Sequence, residues 1–377
     1  MAQQQGSLSL GREAWSTWPR YEAAVLGFPN YWYPVLWSRQ LKKKPVGITL
    51  MGQPVMFFRS GGKAYALRDR CPHRGIPLHH GEQHFPGTLS CAYHGWTYDL
   101  ESGTLVASIT DGPDSPICGK VRVQTFPVEE RLGLLWVYMG QGTPPPVEDD
   151  IPAELLEKPV TVCGRISERK GNWRLAAENG FDQGHAKYLH RNTPFVFFRK
   201  MPVWDRSHVV PIEDGKWIAR VTDEVHFDTD FPGLGRFPTR KQWWKRRGGA
   251  PRGGSPLRLP GMLRVAYPEW SHYEWYVPLD EGHHRYLQIA VKFSQGLKGW
   301  LFRLKYWTNL RWIFHGLFND QDALMVEDMD SPPERLYRPD VSIIAWRKLC
   351  EHPRGTEGVL TEPITESDLP AIAEPVS

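Results

Sequence analysis

The stretch CPHRGIPLHHGEQHFPGTLSCAYH, Cys71 to His94, contains two pairs of cysteine and histidine residues. The first pair is Cys71 and His73, and the second is Cys91 and His94. Thiolate and imidazole are ligands for soft and borderline metals, so the four side chains predict a metal centre. Two kinds of centre fit this ligand set: a structural zinc ion, or an iron–sulfur cluster with two cysteines on one iron and two histidines on the other.

The chain of 377 residues is long enough for two domains, and its composition narrows the possible functions. The net charge of +4 is too small to indicate binding to nucleic acid. No apolar run approaches the roughly 20 residues of a membrane-spanning helix, and the N-terminus lacks the apolar segment of a secretory signal. Only two of the five cysteines belong to the paired motif, so we expect a reducing, cytoplasmic location without disulfides.

Residues 46 to 140 have the pattern of short strands and turns. Gly61-Gly62 and Ser102-Gly103 each separate two β-rich runs, as hairpin turns do. The triple proline within Gly140–Asp150 is typical of a linker. Beyond it, NWRLAAENGFDQGHAKYLH (172–190) favours helix, residues 203 to 293 favour strands, and residues 297 to 329 favour a long helix or a bent pair.

A second candidate centre lies in ENGFDQGHAKYLH, which supplies Asp182, His185 and His190. Two histidines and one carboxylate form the facial triad of non-haem iron(II) oxygenases. A regular helix would turn the two histidines about 140° apart, so a shared metal requires the helix to break between them. For the carboxylate we predict Asp322, which follows a long apolar helix face, with Asp320 as its main rival. The alternative is two ordinary histidines near a helix end.

The loops CPHRG and CAYHGW closely resemble the ligand loops of Rieske proteins, in which Cys71, His73, Cys91 and His94 would bind a [2Fe-2S] cluster. NYWYPV (30–35), NWRLAAENGFDQGH (172–185) and the dipeptide QD (321–322) follow in the order found in Rieske non-haem iron oxygenases. The chain therefore resembles the terminal oxygenase component, or alpha subunit, of that family over about residues 28 to 350.

Within the family, ENGFD, YEWYVPLDE and IIAWRKL are similar to carbazole 1,9a-dioxygenase oxygenases. The four residues between the two histidines of the second centre, and the basic insert TRKQWWKRRGGAPRGGSP (239–256), depart from that pattern.

The resemblance implies an α+β protein with an N-terminal segment (1–40) packed on the catalytic domain, an all-β Rieske domain (41–145) and a catalytic domain (146–377). The catalytic domain would have an antiparallel sheet and long helices of the helix-grip type. His185, His190 and Asp322 would bind mononuclear Fe(II), with O2 as co-substrate. Electrons would come from NAD(P)H through a flavin reductase, a ferredoxin or both.

The resemblance also implies a head-to-tail homotrimer. In it, Asp182 would bridge a cluster histidine of one subunit, His94, and the iron ligand His185 of its neighbour. The other interpretation of Asp182 is an acid at a helix end.

The substrate is less constrained by the sequence. Gly180, Ala186, Tyr273 and Phe318 are small or aromatic, which suits a pocket for a flat hydrophobic aromatic or polycyclic molecule, although the last two would equally suit a core. Monohydroxylation, dihydroxylation and oxidative O- or N-demethylation all use this ligand set. A Rieske electron-transfer protein without oxygenase activity is a further alternative, and it would carry the cluster but no mononuclear iron.

The segment LKGWLFRLKYWTNLRWIFHGLF (297–318) mixes aromatic and basic residues. Such a helix can lie on a membrane surface. It can also be a core helix whose Lys and Arg side chains extend into water, which is the interpretation that the sequence favours.

Overall fold

The computed structural model describes residues 17–193, 199–200, 202–227, 229–236, 246–247, 255–329 and 334–369. The chain divides into two compact units. One is here called the cluster unit, after the predicted cluster ligands that it contains, and comprises Leu26–Lys158 and Val277–Leu287. The other is here called the catalytic unit, after the predicted triad, and comprises the described parts of Met1–Val25, Pro159–Tyr276 and Gln288–Ser377. Most of the predicted basic insert (239–256) lies outside the described residues.

The two compact units end at other residues than the predicted domains, whose boundaries after residues 40 and 145 stay a prediction. Strand β1 (Trp32–Trp37) pairs antiparallel with β10 (Leu134–Tyr138), so it belongs to the cluster unit and not to a separate N-terminal segment. The Trp32 side chain donates through Nε1 to the Pro145 carbonyl at 2.8 Å, and its backbone N–H donates to Asp150 Oδ2 at 2.9 Å. The proline-rich stretch therefore packs back onto β1, and the first segment of the cluster unit ends at Lys158.

Three small sheets build the cluster unit, with strand orders β1-β10-β9, β2-β3-β4-β8 and β5-β6-β7. The predicted hairpin at Gly61-Gly62 joins β3 to β4, and both glycines have the positive φ that such a turn requires. The second predicted hairpin joins β6 to β7. The strands between β1 and β10 are β2 Val46–Leu50, β3 Gln53–Ser60, β4 Lys63–Arg68, β5 Thr88–Ser90, β6 Trp96–Asp99, β7 Leu105–Ser108, β8 Thr125–Phe126 and β9 Val128–Arg131.

A seven-stranded sheet dominates the catalytic unit, in the order β11-β21-β20-β19-β18-β14-β13. Its pairings from β13 through β14, β18 and β19 to β20 are antiparallel. The strands are β11 Thr161–Lys170, β12 Arg199–Lys200, β13 Trp204–Ile212, β14 Trp217–His226, β15 Asp230–Phe231, β16 Gly235–Arg236, β17 Arg246–Arg247, β18 Leu257–Arg258, β19 Met262–Ala266, β20 Ser271–Pro278 and β21 His283–Lys292.

The predicted long helix covers one face of this sheet. It runs through α5 (Gly296–Lys305), a π-helical segment (Tyr306–Phe318) and α6 (Asn319–Glu327). Phe302, Tyr306, Leu310 and Phe314 project from it into a core shared with Cys163, Trp270 and Ala290 of the sheet side. The predicted α+β class, with helices gripping an antiparallel sheet, is confirmed. The other helices are α1 Pro19–Ala23, α2 Ala153–Glu157, α3 Trp173–Phe181, α4 Gln183–Tyr188 and α7 Val341–Cys350.

A buried ion-pair network holds α3 in place. Arg347 of α7 is fully buried and donates from Nε to Glu178 Oε1 at 2.8 Å. Tyr21 of α1 donates its hydroxyl to the same carboxylate oxygen. Because a buried charge is tolerated only when it is paired, this network fixes the register of the helix that leads into the second candidate centre. None of the described helices is long and apolar enough to cross a bilayer.

Candidate metal centres

The two Cys-His loops share one backbone plan. In each loop the cysteine N–H donates to the carbonyl five residues on, and a glycine N–H four residues on donates back to the cysteine carbonyl, all at 2.8 to 3.0 Å. The glycines are Gly75 and Gly95, whose φ values of +73° and +67° are unfavourable for other residues. The local sequence therefore builds two loops with the same backbone conformation.

The two loops bury the thiols and leave the imidazoles nearer the surface. Cys71 and Cys91 are 2% and 4% exposed within the core of the cluster unit. His73 is exposed and His94 is half-buried, and their ring centroids lie 4.5 Å apart. A buried pair of sulfurs beneath an outward pair of imidazoles suits a cluster with one cysteine-bound iron and one histidine-bound iron.

Neighbouring side chains contact the predicted ligands Cys71, Cys91 and His73. The Cys91 thiol donates towards the Cys71 sulfur, which lowers the pKa of Cys71 and raises the pKa of Cys91. Tyr98 Oη lies 3.2 Å from Cys71 Sγ, and the Trp96 ring stacks on His73 with centroids 4.7 Å apart. Neither Tyr98 nor Trp96 is assigned a role from the sequence. Their alternation along β6, directly after the second loop, is the signal that would have drawn attention to them.

The structure brings His185, His190 and Asp322 together, with one ligand atom of each within 4.8 Å of the others. Asp322 Oδ1 lies 3.3 Å from His185 Nε2 and 3.0 Å from His190 Nε2. The helix breaks between the histidines as a shared metal requires, because α4 ends at Tyr188 and a 3₁₀ turn, Leu189–Asn192, follows.

A second break, which the sequence analysis did not predict, lies at Asp182. Its extended backbone (φ −71°, ψ 113°) separates α3 from α4, and its carboxylate caps α4 by accepting from the N–H groups of Gly184 and His185 at 2.7 and 3.2 Å. The carboxylate also lies 3.3 Å from His185 Nδ1. Asp182 is therefore an acid at a helix end and a partner of the predicted ligand His185 at once.

Gln321 is the partner of the other histidine. Its Oε1 lies 2.9 Å from His190 Nδ1, which donates to it. Each imidazole thus has an oxygen acceptor within hydrogen-bond distance of its Nδ1. This arrangement fixes the tautomer and the ring orientation of metal-binding histidines. Gln321 stands beside Asp322 in the QD dipeptide, but the sequence assigns it no role.

The donor set at the triad fits a divalent cation. With its proton on Nδ1, His190 presents a lone pair on Nε2 towards Asp322 Oδ1, 3.0 Å away. Among the described residues neither of these two buried atoms has a hydrogen-bond donor. Two acceptors at this distance repel unless a proton or a metal cation lies between them, and two imidazoles with one carboxylate are the ligands of mononuclear iron(II).

The charges around the triad favour the same conclusion. Burial by itself lowers the pKa of His185, yet the carboxylates of Asp182 and Asp322 raise it to about 10. Burial raises the pKa of Asp322, but the two imidazoles hold it below its ordinary value. The site is thus negative enough to hold a buried positive charge.

The rival carboxylate, Asp320, points elsewhere. It forms ion pairs with Arg165, at 3.1 Å, and with Arg169, and 43% of its side chain is exposed. Asp322 is only 13% exposed. The two positions on α6 are therefore different sites, and geometry favours Asp322 as the ligand.

The four predicted pocket residues have different surroundings in the structure. Phe318 stacks on His190 with ring centroids 3.6 Å apart, so it borders the triad. Ala186 is half-buried on α4. Gly180 packs so tightly that an added Cβ would lie 2.0 Å from the Tyr276 hydroxyl oxygen. Tyr273 is fully buried in β20, where its ring faces that of Trp275, so core packing describes its observed surroundings.

A buried polar group that the sequence analysis missed anchors the start of α6. Glu274 lies in β20 and accepts from the Tyr276 hydroxyl and from Asn319 Nδ2, the latter at 2.9 Å. His272 Nε2 lies 2.9 Å from the same carboxylate. Because Asn319 is the first residue of α6, Glu274 ties the helix that carries Asp322 to the sheet.

Replacing Gln321 tests the partner role of its amide. We expect Gln321→Leu to weaken iron(II) binding about 10–100-fold, since the His190 ring loses the acceptor that orients it. Titration of metal-free protein with iron(II), followed by calorimetry, measures the change. Gln321→Glu keeps an acceptor and should retain most of the affinity; equal losses in both variants would contradict the role.

Comparison with known proteins agrees with both centres. Residues 31–127 match the family model of the Rieske [2Fe-2S] domain, and residues 138–212 and 254–357 match that of the homotrimeric ring hydroxylases. The terminal oxygenase components of carbazole 1,9a-dioxygenase from Sphingomonas sp and Metapseudomonas resinovorans are 34% and 33% identical to the chain. These alignments cover 93% and 90% of this chain, and 98% and 94% of the relatives.

The solved structures show the same relationship. The terminal oxygenase of carbazole 1,9a-dioxygenase from Nocardioides aromaticivorans IC177 matches with a TM-score of 0.80 at 30% identity, over 90% of this chain and 98% of that chain. Identity above 30% over nine-tenths of the chain, together with both family models, establishes common descent. The chain belongs to the Rieske non-haem iron oxygenases, as a terminal oxygenase component.

Proposed function

We propose that the chain hydroxylates a hydrophobic aromatic or polycyclic substrate at an iron(II) held by His185, His190 and Asp322. Cys71, His73, Cys91 and His94 hold the [2Fe-2S] cluster that delivers electrons. One observation carries the proposal: two buried acceptor atoms, His190 Nε2 and Asp322 Oδ1, face each other at 3.0 Å.

The side chains around this site bind, orient and exclude water. Asp182 and Gln321 each lie at Nδ1 of one histidine, so Nε2 of both histidines faces Asp322. Phe318 covers one face of His190, which limits the access of water. When bound, the iron would supply the chemistry that activates O2 for hydroxylation, with electrons coming from the external donor through the cluster.

The redox partners and the assembly follow from the relatives. The carbazole oxygenase has been solved in complex with a ferredoxin, and the second family model describes homotrimeric enzymes. We therefore propose a ferredoxin, fed by a flavin reductase and NAD(P)H, as the electron donor, and a head-to-tail homotrimer as the assembly. Cysteines that serve metal binding rather than disulfides support a cytoplasmic location.

A single-turnover experiment tests the proposed reaction. Chemically reduced protein is mixed with ¹⁸O2 and either carbazole or a methoxylated aromatic compound, and the products are analysed by mass spectrometry. Incorporation of one or two ¹⁸O atoms into the ring of carbazole is expected. Loss of the methyl group from the methoxylated compound, with no ring oxidation of carbazole, would favour an O-demethylase instead.

Asp182 is proposed to link the cluster and the iron across a subunit boundary, in addition to capping α4. Asp182→Ala should lower turnover about 10–100-fold, because an outer partner of a metal-bound histidine is lost. Cluster and iron contents should stay near the original values. Full turnover with normal metal loading would contradict the link; loss of iron would show that the carboxylate acts only through His185.

A further inference from the structure

The helical segment from Gly296 to Phe318 has two apolar faces, and the sheet covers only one of them. The inner face packs into the core described above. On the opposite side, large apolar residues remain exposed by 47% to 73%. The sequence favours a core helix in which only the basic residues reach water, so the exposure of these apolar residues corrects that interpretation. The outer face, as used below, consists of Leu297, Trp300, Leu301, Leu304 and Trp307.

Cations flank the outer face, and acids are missing from it. Between Gly296 and Phe318 the sequence holds two lysines and two arginines but no aspartate or glutamate. At about 100° per residue, Trp300, Leu301 and Leu304 lie within about 60° of Leu297 around α5. Lys298 and Lys305 then border this stripe on one side and Arg303 on the other.

Among the described residues, an acid pairs with only one of these four cations. Lys305 pairs with Glu269 at 3.1 Å, and Arg311 lies over the Trp307 ring. Within the part of the chain that the structure describes, Lys298, Arg303 and Arg311 form no ion pair. The segment therefore presents an apolar stripe between rows of available positive charge.

We propose that the outer face binds an anionic lipid surface, with the helix lying in the plane of the interface. Leu and Trp would enter the boundary between headgroups and acyl chains, while the flanking Lys and Arg reach lipid phosphates. Charge complementarity selects this partner, since each basic residue near an anionic membrane adds attraction. The helix lies on the bilayer and does not cross it, which agrees with the absence of a spanning helix among the described residues.

A second copy of the chain is a poorer match for the same face. A two-fold contact through it would bring Lys298, Arg303 and Arg311 of one copy close to the same cations of the other, and like charges at an interface oppose association. A lipid surface of opposite charge has no such penalty.

Lipid binding through this face would bring the enzyme to its substrate. This consequence rests on the proposed function. The helix that carries the outer face continues through the π-helical segment directly into α6, which carries Asp322. Flat apolar substrates concentrate in membranes, so an oxygenase attached there meets them at a higher concentration than in water. Lipid binding itself needs neither turnover nor metal, and it is measured separately.

Flotation of the assembled protein with vesicles tests the proposal. Vesicles of phosphatidylcholine alone are compared with vesicles in which about a third of the lipid is phosphatidylglycerol. We expect binding to the anionic vesicles, weakened about thirtyfold by the double substitution K298Q/R303Q. The outer-face variant W300Q/L304Q should weaken binding at least about tenfold. L234Q, which replaces an 88% exposed leucine outside the helix, should bind normally.

Light scattering after gel filtration separates lipid binding from assembly. The mass of W300Q/L304Q should equal that of the unmodified protein. A lower mass would show that the face joins copies of the chain and would overturn the proposal. So would a failure of the unmodified protein to float with anionic vesicles, or equal flotation of K298Q/R303Q. Absence of hydroxylation with normal flotation would leave lipid binding standing and refute the proposed function alone.

Discussion

Asp322→Ala is expected to remove the mononuclear iron and leave the cluster intact. The protein should fall from about three irons per chain to about two, with acid-labile sulfide unchanged at about two. Turnover should drop by at least about a thousandfold, because two imidazoles without their carboxylate hold iron(II) weakly and leave its charge unbalanced. Metal analysis, sulfide analysis and the visible spectrum of protein purified without oxygen measure these quantities together.

Asp320→Ala is the matched control on the same helix. Asp320 is two residues away, is partly exposed and pairs with Arg165 and Arg169. Its loss should leave the iron content and turnover within about twofold of the original, since a surface ion pair contributes little to stability. Loss of iron in this variant, with iron retained in Asp322→Ala, would exchange the two assignments.

Cys91→Ser should abolish the cluster and with it all turnover that depends on an external electron donor. A serine hydroxyl is a poor ligand for an iron that the thiolate binds as a soft anion. Both cluster irons and both sulfides should be lost, together with the red-brown colour. The iron bound by the triad should remain, at about one per chain.

Cys118→Ser is the control in the same unit. Cys118 is half-buried and lies outside the two loops, so its replacement should change neither the sulfide content nor the visible spectrum. A cluster that survives Cys91→Ser, or zinc in place of iron in the unmodified protein, would contradict the assignment of the four ligands.

The sequence was most informative where chemistry depends on residue type and local spacing. The two loops, both hairpins and the break between His185 and His190 could be predicted, because each depends on a few neighbouring residues. The choice of Asp322 over Asp320 was a weaker inference. It depends on which side of α6 faces the histidines, and only tertiary packing decides that.

Long-range partners outside the predicted triad could not be predicted. Glu274 lies far from Asn319 in sequence, and Gln321 lies far from His190, yet both pairs are in hydrogen-bond contact. The predicted boundary after residue 145 depends on a triple proline, which is locally typical of a linker. The sequence does not indicate that Trp32 forms hydrogen bonds with Pro145 within that run and with Asp150 beyond it. The exposed outer face was also misjudged, because periodicity cannot tell which of two apolar stripes meets the sheet.

The shared backbone plan of the two Cys-His loops bears on how the enzyme matures. Backbone hydrogen bonds around Gly75 and Gly95 shape the loops, and the buried cysteines belong to a core built from strands. We expect a scaffold of this kind to fold without metal, unlike a zinc finger. Protein produced with too little iron should accordingly be folded and repairable, and supplying iron and sulfide without oxygen should restore it with no refolding step.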